Sequence, residues 1–369
     1  MQRFGLRKTI FSFIMKPLYF RQLDLLRLVA FSLVFWQHAF HHSFDNVTFL
    51  SRNFINTFSL TGGIGVQIFF VLSGFLITFL LLKEKEKTGA INIKYFYIRR
   101  VLRIWPLYYI VVIFGIYILP NISDAFVFCG NELMGLTFLN NIDSSKICTS
   151  SENVSIVWSV AIEEQFYLFW PLLFTVFIKN KKVLIGLCFV VYLGSSLFIL
   201  NNRYPINYYH TYANLNYLMV GCIGALFYNR YQFQVEKSII MKKHFLSLGI
   251  LVLIFFVWFK PVGTIFIQPF LYLYIILFLV INNNDKGSKL AKYGKYTYGM
   301  YMYHPLFLMT FRLVFDAFSI DYKGDGWLNS LIGILALVFT VAFSILSYEF
   351  VEKRFLKYKN KLAQVKTRI

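Results

Sequence analysis

The chain is 369 residues long, 58% hydrophobic and 20% aromatic, with a mean hydropathy of +0.59. That is far more apolar surface than one soluble core can use, so the composition excludes an ordinary soluble protein and places the chain in a bilayer. The net charge of +20 does not indicate a nucleic-acid partner, because the basic residues are spread over short segments between apolar runs instead of gathered in one soluble domain.

Residues 1–23 read as a cytoplasmic or interfacial segment. Basic residues precede the apolar stretch Thr9–Met15, but that stretch is too short for a signal peptide, ends in Lys16-Pro17 and is followed by no small-residue cleavage site. Ten spans follow, at 24–42, 63–82, 104–119, 156–178, 183–200, 213–229, 245–259, 265–282, 297–315 and 328–350. Each is expected to be a helix, since the lipid interior offers the backbone no hydrogen-bond partner. The expected fold is therefore an all-α integral membrane protein, a polytopic bundle of about ten transmembrane helices. One membrane domain fills 24–350, and 351–369 form a basic cytoplasmic tail.

With the N-terminus in the cytoplasm, thirty of the 37 Lys and Arg residues fall on the inner side, which supports an even number of spans and puts both the N- and C-termini in the cytoplasm. One short turn at Lys260-Pro261 joins the spans at 245–259 and 265–282, so a re-entrant hairpin with eight full spans is the alternative. Cys129 and Cys148 share one outside loop and either form a disulfide in an oxidising compartment or remain two thiols. Cys188 and Cys222 sit in spans and read as packing residues.

A charge near the bilayer centre costs on the order of 2.5–3.5 kcal/mol even on an insertion scale, so each one needs a reason. The first span carries Asp24, Arg27 and His38. Arg27 and His38 are eleven positions apart, within about 20° of three full turns and about 16 Å along the axis, so they share one stripe. Asp24 lies near the same stripe, and the three are expected to line a polar channel; the competing reading is an Asp24–Arg27 pair that only anchors the helix. Arg99, Arg100 and Arg103 run into the third span. Arg100 and Arg103 share a face suited to gripping phosphate, with positive-inside anchoring as the alternative.

The fourth span opens with Trp158-Ser159 and then Glu163-Glu164-Gln165. Adjacent residues on a helix point about 100° apart, so one of the two glutamates is expected to face a site, where it would stabilise a cation, orient a histidine or bond a hydroxyl substrate. Helix capping is their bland role. In the ninth span His304 stands directly before Pro305, which opens the helix and exposes backbone carbonyls that only protein or a wet cavity can tolerate. Neither a phosphate-binding glycine loop, a metal motif nor a nucleophile elbow is present, and Gly62, Gly63, Gly65 and Gly74 suit close helix packing. The 43 Phe and 25 Tyr are mainly lipid-facing or interfacial, and none is assigned to a site.

From about residue 20 to residue 358 these segments resemble acyltransferase family 3 of bacterial inner-membrane proteins. The resemblance rests on motifs in order: Leu23-Asp24-x-x-Arg27 with His38 after ten intervening residues, Gly65-Val66-Gln67-Ile68-Phe69-Phe70-Val71-Leu72-Ser73-Gly74-Phe75, Arg100-x-x-Arg103, Trp158-Ser159 with Glu163-Glu164-Gln165-Phe166-Tyr167, Tyr303-His304-Pro305, and Tyr348-Glu349-Phe350-Val351-Glu352-Lys353. Leu25 and Leu28 depart from the glycines usual in the first motif. The resemblance implies transfer of an acyl group, most often acetyl from acetyl-coenzyme A, to hydroxyls of carbohydrates such as O-antigen, capsule or exopolysaccharide. It also implies a multi-pass location in the bacterial inner (plasma) membrane. Arg27, His38, Arg100 and Arg103 would be essential. Some relatives carry a fused extracytoplasmic hydrolase-like domain; here the expectation is a separate partner or an autonomous membrane enzyme.

On this reading the coenzyme phosphates dock on Arg99, Arg100 and Arg103, with Arg27 assisting. His38 takes the proton of the acceptor hydroxyl or carries the acyl group itself, Glu163 and Glu164 assist, and Asp24 and His304 contact substrate. No metal and no permanently bound cofactor are expected; the donor, acyl-coenzyme A, is a substrate, and the acceptor is a carbohydrate, either free or lipid-linked. The rival reading is a transporter of a lipid-linked or polymeric saccharide, which has no need of a polyanion clamp at its inner mouth.

Overall fold

Long apolar runs with few helix breakers leave the backbone one way to satisfy its own hydrogen bonds, and the chain takes it throughout. A computed structural model describes residues 19–40, 62–123, 131–143, 156–201, 208–259, 261, 263–283, 289–322 and 325–362, and the described residues are helical with no strand. The helices in chain order are α1 (Arg21–Phe40), α2 (Gly62–Thr88), α3 (Ile93–Ile113), the short α4 (Glu132–Leu136) and α5 (Asn140–Asp143), and α6 (Val157–Phe177). They continue with α7 (Lys181–Asn201), α8 (Thr211–Lys237), α9 (Lys243–Phe259), α10 (Thr264–Ile281), α11 (Thr297–Ala317), α12 (Gly326–Ser347) and α13 (Lys353–Lys361).

Among the described residues, seven stretches are long and apolar enough to cross a membrane: α1, α2, α3 with its continuation to Asn121, α6, α7, α10, and α12 running through to Lys361. The expected spans at 213–229, 245–259 and 297–315 coincide with α8, α9 and α11, which stand outside that group. Helix α9 is apolar but only 17 residues long. Helices α8 and α11 instead carry buried polar side chains, Asn214 and Asn216 on one and Thr297 and His304 on the other. Such residues face a protein interior and lower the mean hydropathy of helices that are otherwise long enough.

The most extensive helix pair is α2 against α8. Two glycines set their approach: a Cβ on Gly74 would lie 2.1 Å from the Leu218 carbonyl oxygen, and one on Gly221 would lie 2.2 Å from that of Val71. Only the missing side chains allow the two backbones to meet this closely. On its other side α2 packs on α1, where a Cβ on Gly65 would lie 2.3 Å from the Ala30 carbonyl oxygen. The glycines expected to serve packing do so here, and α2 is locked as a central post between α1 and α8.

The segment after α12 was expected to be a basic tail. A π-helical turn, Tyr348–Glu352, leads instead into α13, which packs against α3 and buries Leu356 and Lys359. Cys188 and Cys222 are buried free thiols, as expected of packing residues. Cys129, Cys148, Lys260 and residues 1–18 lie outside the described residues.

Candidate active site

One cavity gathers Asp24 and Arg27 of α1, Arg99, Arg100 and Arg103 of α3 and Glu163 of α6 with side chains from α2, α11 and α13. At one end stand Arg27, Arg99, Arg100 and Arg103. Asp24 bonds Arg27 through one oxygen and accepts from Tyr19 Oη at 2.7 Å through the other. Burial first, and the bond to Asp24 second, push the Tyr19 phenol up to about 12, so it stays protonated and keeps donating. Asp24 and Arg27 pair at i, i+3, and both line the cavity. With both carboxylate oxygens engaged, Asp24 holds Arg27 rather than reaching for a substrate.

The three arginines of α3 differ in their surroundings. Arg99 Nη2 forms an ion pair with Glu84 Oε2 at 2.7 Å, and its Nη1 donates to the Leu362 carbonyl at 3.2 Å. The Arg100 guanidinium sits 5.7 Å from the ring centres of both Phe96 and Tyr167, and its Nε has no hydrogen-bond partner among the described residues. Arg103 is exposed on the cavity wall and makes no hydrogen bond or ion pair among the described residues. Thus Arg100 and Arg103 keep their full hydrogen-bonding capacity for a ligand, whereas both Arg99 terminal nitrogens already donate to the protein.

The two adjacent glutamates separate as the helix dictates. Glu163 lines the cavity and accepts from Ser73 Oγ at 2.7 Å and from Tyr167 Oη at 2.9 Å. Glu164 points away, accepts from Trp105 Nε1 at 3.0 Å, and leaves its other oxygen buried without a partner among the described residues. Tyr167 links the two chemistries, since its hydroxyl meets Glu163 while its ring lies against Arg100.

At the far end the cavity reaches Phe69, Ser159 and Tyr301, whose hydroxyl lies 2.7 Å from Ser159 Oγ. His38 is not among the lining residues. The shared stripe with Arg27 is thus only partly a channel: His38 stands beyond its end, where the rings of Phe31, Phe35 and Tyr301 pack around His304. His304, completely buried, does not line the cavity either; its Nε2 lies 3.0 Å from His38 Nδ1.

The proline explains that histidine's state. Pro305 has no N–H to donate to the carbonyl four residues back, so Tyr301 O is left open although α11 runs unbroken from Thr297 to Ala317. His304 Nδ1 fills the gap at 2.8 Å and must carry a proton to do so, because its partner only accepts. In the neutral ring Nε2 is then an acceptor, and His38 Nδ1 must be the donor. His38 is left with its lone pair on Nε2. Arg312, also on α11, donates to the His38 carbonyl at 3.0 Å, so ring and backbone of His38 are both held by one helix.

Arg312, Glu84, Ser73, Tyr301, Glu352 and Lys359 were not assigned to the site from sequence. Glu84 is hidden in the alternating run Lys83-Glu84-Lys85-Glu86-Lys87, which reads as a solvated face, and Lys359 in a run that reads as inner-side anchoring. Arg312 did carry a signal, as one of two arginines inside an expected span. Among the described residues, no group of three or more His, Cys, Asp or Glu is arranged to hold a metal ion.

A family model described as an acyltransferase domain, that of acyltransferase family 3, matches residues 20–349. A Staphylococcus aureus (strain COL) protein that bears an O-acetyltransferase name is 30% identical over 330 residues, 81% of this chain and 53% of its own length. The peptidoglycan O-acetyltransferase OatA of Listeria monocytogenes is 32% identical over 289 residues, 68% of this chain and 45% of its own. O-acetyltransferase OatA of Staphylococcus aureus strain NCTC 8325 is 27% identical over 340 residues, covering 81% and 53%. The chain spans about half the length of the curated relatives it matches, and no solved structure matches it significantly. With the family match covering most of its length, this chain belongs to acyltransferase family 3.

Proposed function

We propose that the chain is a membrane-bound O-acyltransferase that moves acetyl from acetyl-coenzyme A to a hydroxyl of an extracytoplasmic carbohydrate. The observation that carries this reading is one cavity with Arg100 and Arg103 open at one end and, outside its lining and beyond Tyr301 at the other, the His38–His304 pair. Guanidinium groups recognise the phosphates of the donor, and its acyl end reaches toward the histidines. The acceptor oxygen attacks the thioester carbonyl while His38 Nε2 takes its proton. The carbon–sulfur bond then breaks, and the leaving thiolate takes that proton back as free coenzyme A. In the second form of the reaction His38 Nε2 attacks the thioester carbonyl and expels the coenzyme A thiolate; the acceptor hydroxyl then attacks the acyl-imidazole, the carbon–nitrogen bond to His38 breaks, and the hydroxyl proton goes to the thiolate.

The topology proposed with this activity has ten spans, α8, α9 and α11 included, both termini in the cytoplasm, and the arginine end of the cavity facing inward in the bacterial plasma membrane. The distribution of basic residues supports it. The name of the Listeria relative makes cell-wall glycan one acceptor to test, beside O-antigen, capsule and exopolysaccharide, whether polymeric or lipid-linked.

The test is acyl transfer from radiolabelled acetyl-coenzyme A to the host's own surface glycans, in membranes holding wild type or His38→Ala at matched protein levels. Label reaching glycan with the wild type alone supports the reading. Equal labelling removes His38 from the chemistry, and no labelling in either removes the proposed donor or acceptor.

A further inference from the structure

The family match ends at residue 349, yet the cavity wall continues past it. Glu352, Leu356 and Lys359 line the cavity from the π turn and α13. Positions i, i+4 and i+7 form one stripe of a helix, and these three are the residues buried there, while Lys353, Arg354, Lys357 and Lys361 are exposed. Attraction to an anionic membrane surface accounts for the four outward cations. It does not account for Lys359, which turns inward at 7% exposure.

The Lys359 side chain makes no hydrogen bond or ion pair among the described residues, and the charges that bear on it are those of Arg103, Arg100, Arg99 and Arg27. The carboxylates that could serve it are engaged elsewhere: Asp24 with Arg27, Glu84 with Arg99, and Glu163 with Ser73 and Tyr167. Glu352 is the carboxylate left without a hydrogen bond, and the charge it feels is that of Arg103. Three cations, Arg100, Arg103 and Lys359, therefore face one cavity without an ion-pair partner. A buried ammonium among like charges is unfavourable until an anion joins it, and a polyanion spanning the three offsets all of them together.

We propose that Lys359 is a phosphate ligand for the donor, and that α13 supplies one wall of a polyanion site shared with Arg100 and Arg103. The proposal rests on the coenzyme A reading above and adds a residue beyond the family domain. It distinguishes Lys359 from its neighbour Lys357, two positions along the same helix and exposed.

The experiment measures coenzyme A binding by calorimetry to the full chain in lipid nanodiscs, for wild type, Lys359→Gln, Lys359→Arg and Lys357→Gln, with melting temperatures taken in parallel. The expected result is about tenfold weaker binding for Lys359→Gln, near-complete rescue by Lys359→Arg, and no change for Lys357→Gln. The KM for acetyl-coenzyme A rises in step while kcat holds. In the wild type, bound coenzyme A also shields Lys359 from an amine-acetylating reagent, read by mass spectrometry, which needs no variant to fold. Unchanged binding by a folded Lys359→Gln protein, or no shielding of Lys359 when coenzyme A binds, overturns the proposal and leaves the donor reading intact. A wild type that binds no coenzyme A overturns both.

Discussion

His304 Nε2 stands 3.0 Å from His38 Nδ1, and the same His304 ring is tied by its other nitrogen to the Tyr301 carbonyl. The backbone of one helix thereby dictates which nitrogen of a histidine on another helix keeps its lone pair. In the proposed reaction His304 is a positioning residue and His38 Nε2 the base, so the two histidines respond differently to substitution. His304→Gln keeps an amide oxygen able to accept from His38 Nδ1 and retains part of the activity. His304→Phe keeps the bulk without the acceptor and lowers kcat by about 100-fold. Glycan labelling in membranes, with melting temperatures for both variants, separates lost chemistry from lost folding.

Pro305→Ala tests the origin of that arrangement. An alanine restores the N–H that bonds Tyr301 O in a regular helix, and it removes the strain of a proline inside α11, worth up to about 3 kcal/mol. Competition for the carbonyl loosens His304. The expected outcome is a protein that melts higher or unchanged in detergent yet transfers acyl groups several-fold more slowly; full activity would show that the Tyr301 carbonyl does not set the histidine.

Arg99 and Arg103 are four residues apart and carry opposite predictions. Arg99 pairs with Glu84 where both side chains are mostly buried, so Arg99→Ala leaves an uncompensated carboxylate and destabilises by about 3 kcal/mol, with Glu84→Gln in the same chain restoring much of the loss. Arg103→Ala breaks no bond among the described residues, so the melting temperature holds while the KM for the donor rises. Equal melting losses for the two would dismiss the distinction.

At the α2–α8 crossing, Gly74→Ala puts a methyl group 2.1 Å from the Leu218 carbonyl oxygen. Neither backbone has room to yield without moving the post that carries Ser73, so the variant loses about 1–3 kcal/mol and expresses poorly. Gly186→Ala, where a Cβ meets nothing within 4 Å, is the control and melts as the wild type does.

Local pattern made much of this architecture readable. Each of the ten apolar runs coincides with a helix among the described residues, seven of them in stretches long and apolar enough to cross a membrane, because a helix in an apolar run is specified by its own residues. Arg27, Arg100, Arg103 and Glu163 stood out because each is a charge where charges are costly, and all four line the cavity. What escaped the sequence depends on distance along the chain. His38 and His304 are 266 positions apart, and the pairing of Arg99 with Glu84 crosses two helices. No periodicity indicates which of Glu163 and Glu164 faces inward, or that one lysine in a basic run is buried; helix packing decides both. The channel expected to join Arg27 to His38 failed for a related reason, since the aromatic rings that interrupt it come partly from α11.

Those rings have a consequence for the membrane itself. An enzyme that draws its donor from one side of a bilayer and serves an acceptor on the other must not become a leak. Between the water-accessible arginines and the histidines stands the phenol of Tyr301, tethered to Ser159 and lying against Phe69 and His304. In the proposed reaction the acyl group therefore meets that one phenol on its way from the donor to His38.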